Sequence, residues 1–76
     1  MDIIAIFPSS PKISLRDIIH DIDNLLNRYS LKRKNFIMDK CKIYVQISGD
    51  NTDITKLKKD NAKIEFLDNS SFDIIH

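Results

Sequence analysis

Few residues of this chain could carry chemistry, and their spacing limits what each could do. His20 follows Asp17 by three positions and precedes Asp21 directly, so a helix would stack Asp17 and His20 about one turn apart. A histidine flanked by carboxylates can act as a general base or hold a metal ion, but either role needs a nucleophile or an open ligand position nearby. The surrounding sequence offers neither, and a solvated helix side chain is the expected role. Asp17, Asp21 and Asp23 lack the loop spacing and the glycine of an EF-hand. As acids near a helix start they are explained by the helix dipole. His76 closes the sequence and is assigned no catalytic part.

Cys41 stands between Lys40 and Lys42, whose charge would favour a thiolate. It also alternates in step with Ile43, Val45 and Ile47, which predicts a core-facing thiol behaving as a small apolar group. A lone cysteine cannot cross-link the chain internally, which fits a reducing compartment. With Gly49 the only glycine, no glycine-rich loop can cradle a phosphate. The expectation is a protein without enzymatic activity, cofactor or metal.

The remaining candidate is electrostatic. Arg28, Lys32, Arg33, Lys34, Lys40 and Lys42 are half of the twelve basic residues, and within 28–42 they face one acid, Asp39. Cations near a helix C-terminus complement its dipole, which accounts for Arg28 and Lys32. The rest of the run needs another reason, either solvation of a polar link or contact with a partner. About six converging cations would neutralise several phosphates and bind RNA backbone with a steep salt dependence. A net charge of only +1 argues for a local grip rather than a globally polyanion-binding surface.

These side chains must be positioned by a small fold. At 76 residues, 42% hydrophobic and 30% charged, the chain suits one globular domain over 1–76, one that hides only about 60% of its unfolded surface. There is little room for a core and a deep enzyme cleft together. The start MDIIAIF lacks a basic signal-peptide head, and no apolar run approaches membrane-spanning length. A soluble cytoplasmic protein is expected.

DIIAIF (2–7) is a continuous apolar run, the pattern of a central strand buried on both faces. Pro8 and Pro11 mark the loop that follows. Ser14 with Asp17 resembles a capping box, and Ile13 with Ile18 a hydrophobic staple. Leu15, Ile18, Ile19, Ile22, Leu25, Leu26 and Tyr29 then recur at three- and four-residue steps, predicting an amphipathic helix over about 14–29 that covers a sheet. After the basic link, NFIM (35–38) and CKIYVQIS (41–48) read as strands joined at Asp39-Lys40. Thr52 or Asp53 can cap a short helix with Ile54 and Leu57 inward and Lys56, Lys58 and Lys59 outward. KIEFL (63–67) is a last strand, and 68–76 an apolar tail with Phe72, Ile74 and Ile75.

The order β-α-β-β-α-β predicts an α+β two-layer sandwich of the ferredoxin-like kind. Merging 35–48 into one strand would give a three-stranded β-α-β-α-β alternative. RNA-recognition domains of this shape stack bases on sheet aromatics, but here only Tyr44 points outward from the corresponding strand, so RNA would be held by its backbone.

Phe7-Pro8, the stretch LLNRYSLKR (25–33), the basic link and KIYVQIS together look like the anticodon-side carboxy-terminal region of valyl-tRNA synthetases, over residues 3–67. That family's catalytic motifs are absent and the link is longer, so the resemblance implies at most a tRNA-contacting fragment.

The leading expectation is a non-catalytic module docked on a ribonucleoprotein assembly, ribosome- or tRNA-associated, with the six basic residues on RNA backbone and the apolar tail around residues 72–75 meeting a neighbouring protein. The alternative is a protein–protein module, such as a small inhibitor, immunity protein or dimerising subunit, using Tyr44 on the outer strand face and Phe72, Ile74 and Ile75 in the tail.

Overall fold

A computed structural model describes residues 2–68. Phe72, Ile74 and Ile75, and all of the expected tail beyond Asp68, lie outside the described residues. The elements are β1 (Asp2–Pro8), α1 (Leu15–Asn27), β2 (Lys32–Asp39), β3 (Lys42–Ser48), α2 (Asn51–Asp60) and β4 (Glu65–Asp68). The strands form one antiparallel sheet in the order β2-β3-β1-β4, so β1 and β3 are central and β2 and β4 lie at the edges. This interleaving of two split βαβ units is the ferredoxin-like arrangement, and the separate β2 and β3 exclude the three-stranded alternative.

Alternation along β1 and β3 builds the two faces. Ile3, Ala5 and Phe7 on β1, opposite Ile47, Val45 and Ile43 on β3, share the side covered by Ile22 and Leu26 of α1 and by Ile54 and Leu57 of α2. These are the buried centre of the molecule, and among the described residues no polar side chain is buried. Ile4 points to the opposite face and is nevertheless 0% exposed, between Gln46 on β3 and Leu67 on β4. Burial of β1 on both sides agrees with its unbroken apolar sequence.

The first helix starts as its capping residue requires. The Ser14 hydroxyl accepts from the Asp17 amide at 3.2 Å, satisfying one of the free amides of the first turn. Burial then deepens along the helix, from exposed Leu15 through half-buried Ile18 and Ile19 to buried Ile22 and Leu26. Leu15 and Ile13 therefore stand outside the expected apolar stripe and staple.

At its end, the Ser30 amide donates to the Asn27 carbonyl and the Leu31 amide to that of Leu26, at 3.2 and 3.0 Å. With Ser30 at φ 58°, this is a Schellman closure, and buried Leu26 and Leu31 complete its apolar contact. The chain then enters β2 at once. Lys32, Arg33 and Lys34, expected in a link, belong to this strand.

The β2–β3 turn consists of Lys40 and Cys41, with Lys40 at φ 55°. Because β3 begins at Lys42, Cys41 falls out of the strand alternation, and it is exposed rather than in the core. Its carbonyl accepts from the Ser9 amide at 2.7 Å, tying the turn to the end of β1. The second helix begins earlier than expected, with Asp50 as its capping position and no side-chain cap bond. Its far end is closed by Asn61, whose backbone and side-chain N–H groups both donate to the Leu57 carbonyl. There the Tyr29 hydroxyl donates to Asp60 at 2.9 Å, joining the ends of the two helices. The last strand begins at Glu65 rather than Lys63.

Candidate interaction surface

The sheet divides the six basic residues between its two ends. Arg28 caps the C-terminal end of α1, and Lys32, Arg33 and Lys34 open β2 beside it. Lys40 and Lys42 lie at the opposite end, in and just after the hairpin turn, about 20 Å away along the strand.

Two of the cations are also engaged internally. Arg33 lies on the helix side, where Nε donates to Asp23 Oδ1 at 2.7 Å and Nη2 to Oδ2 at 3.2 Å. Its guanidinium also sits 5.5 Å from the Phe36 ring centroid. The Asp23 contact raises the pKa of an already permanently charged group. Lys34 occupies the irregularity between Arg33 and Asn35 and reaches to Asp2, with Nζ 3.1 Å from Oδ2. Hydrogen bonds from Lys34 and then Ser48 hold the Asp2 carboxyl below its ordinary pKa. Arg28, Lys32, Lys40 and Lys42 are exposed and make no ion pair among the described residues.

Tyr44 lies half-buried on the face away from the helices, between Ile6 and Ile37. Among the described residues it is the only aromatic there, so they build no base-stacking platform on this face. His20 is exposed on α1, and among the described residues no three His, Cys, Asp or Glu side chains gather into a metal site.

The outer edge of the sheet was not legible as a surface in the sequence. β2 pairs with β3 on one side and with no other described strand. Phe36 and Met38 stand opposite Val45 and Ile43 and so point to the helix side. They remain 37% and 48% exposed, because neither helix extends over the edge far enough to bury them. Met38 shares a shallow apolar depression with Pro11, exposed Ile13 and Cys41. The available signal was the apolar triplet FIM just after the basic run Lys32-Arg33-Lys34, a composition that suits an edge better than a centre.

No protein-family model matches the chain, and no curated protein or solved structure matches it significantly.

Proposed function

We propose that this chain is a non-catalytic protein-interaction module whose contact surface is the outer edge of the sheet at β2. The observation that carries this reading is the exposure of Phe36 and Met38 on a strand whose outer side pairs with no other described strand. Exposed apolar groups beside backbone donors and acceptors that no described strand pairs favour a protein partner, since both are desolvated usefully only by another polypeptide. The ribonucleoprotein reading has less support. It needs the basic residues to converge on one polyanion, whereas they are divided between two ends, with Arg33 and Lys34 engaged by carboxylates.

Cross-linking in the native cell, followed by purification of the tagged chain and mass spectrometry, tests the choice. The expected result is protein cross-links concentrated on Lys32, Lys34 and Lys40, lost when Phe36 and Met38 are both changed to Lys. RNA that co-purifies at low salt, and is released by charge reversal at Lys32, Lys40 and Lys42, would overturn the proposal in favour of a ribonucleoprotein role.

A further inference from the structure

We infer that the β2 edge takes up an extended segment of a partner protein as a fifth strand, and that this segment has an apolar centre and acidic ends. The inference rests on the protein-interaction reading above and specifies its partner. β2 runs from Lys32 to Asp39, long enough to pair with a complete strand. Its middle presents Phe36 and Met38 on the helix side and half-buried Ile37 on the other. Exposed cations flank it, Lys32 before the apolar centre and Lys40 in the turn after it, with Lys42 on β3 opposite the exposed acid Asp39 that ends β2; none of the three lysines is in an ion pair among the described residues. An added strand gains main-chain hydrogen bonds along the edge, with specificity from its alternate side chains. Side chains opposite Phe36 and Met38 should be apolar, and carboxylates should flank them.

The same charges argue against a second copy of this chain as the occupant. In the antiparallel two-fold register that sets Phe36 opposite the copy's Met38, Lys34 of each chain lies beside the copy's turn residue Lys40, and symmetry doubles this like-charge contact. Like charges directly opposite one another destabilise strand pairing, and edge lysines are a common guard against self-association. The edge is thus built to reject itself and to accept an acidic strand. The pairing of Lys34 with Asp2 and of Arg33 with Asp23 withdraws two cations and leaves the outer ones for the partner.

The test is selection of random twelve-residue peptides displayed on phage against the full chain at low salt, with enriched sequences then synthesised for fluorescence anisotropy and amide hydrogen exchange. The expected winners alternate apolar residues between acidic ends, slow amide exchange across 33–39, and bind more weakly in high salt. Phe36→Lys with Met38→Lys should reduce their affinity by at least about tenfold, whereas Tyr44→Lys on the far face should not. Should the Lys pair impair folding, Phe36→Ser with Met38→Ser serves in its place. Enriched peptides that ignore the edge variants but respond to Tyr44→Lys would overturn strand addition and leave an interaction module acting through its other face. Absence of any enriched peptide, with cellular protein cross-links still on β2, would replace the strand by a folded partner. Failure of both experiments would remove the interaction reading itself.

Discussion

Arg33 and Asp23 are joined by two hydrogen bonds, at 2.7 and 3.2 Å, which clamp the start of the edge strand to the middle of the first helix. Side-on pairing of a planar guanidinium with a carboxylate fixes direction as well as distance. Both side chains are partly solvated, so the energy is modest. A double-mutant cycle with Arg33→Ala and Asp23→Ala should give a coupling of about 0.5–1 kcal/mol in urea unfolding. A coupling indistinguishable from zero would show that the clamp is not held in solution.

The Lys34–Asp2 contact makes a pH prediction. The Asp2 carboxyl is held below its ordinary pKa in the folded chain, so it contributes stability at pH above the unfolded value of about 3.9. That contribution is lost as pH falls through the depressed folded value. Carboxyl NMR titration should show Asp2 returning towards its ordinary pKa in Lys34→Met, with less acid sensitivity arising from this group. An unchanged Asp2 titration would contradict the contact.

Gly49 follows β3, and a Cβ there would overlap Cδ2 of Leu31, which is itself buried. Gly49→Ala should therefore destabilise the fold by about 1–3 kcal/mol through overpacking. Leu31→Ala should also destabilise, by about 2–5 kcal/mol through a cavity. Made together they should cost less than the sum, because the added methyl enters the space that is vacated. Thermal or urea unfolding of the three variants checks this, and strict additivity would contradict it.

Cys41 is exposed in the hairpin turn. A disulfide-exchange reagent should label it in the native chain at close to the rate of an unfolded control, without prior unfolding. Labelling that is slowed manyfold and recovers only in denaturant would place the thiol inside.

Periodicity made the architecture readable. The apolar run 2–7 became a central strand, and the three- and four-residue steps from Ile18 to Leu26 became the packed side of α1, because burial imposes a period that composition preserves. What failed depended on where elements begin. Cys41 fitted the alternation of β3 but precedes its first residue, and a one-residue difference in strand start decides whether a side chain faces core or turn. Lys32 to Lys34 looked like a link because three successive cations carry no apolar alternation to mark where pairing starts, and β2 begins at Lys32, three residues before the expected Asn35. The candidate surface was the least legible. Which strand lies at an edge is a property of sheet order, and NFIM read only as a strand, with no sign of which of its side chains would stay exposed.

The strand order has a last consequence. Residues 2–39 and 42–68 each supply one central and one outer strand, and within each set the two strands are separated by a strand from the other. Neither piece can close a ladder by itself, since each leaves a slot that only its counterpart fills. A chain cut between Lys40 and Cys41 is therefore expected to yield two fragments that are unfolded apart and reconstitute the domain when mixed, interlocked like the fingers of two hands.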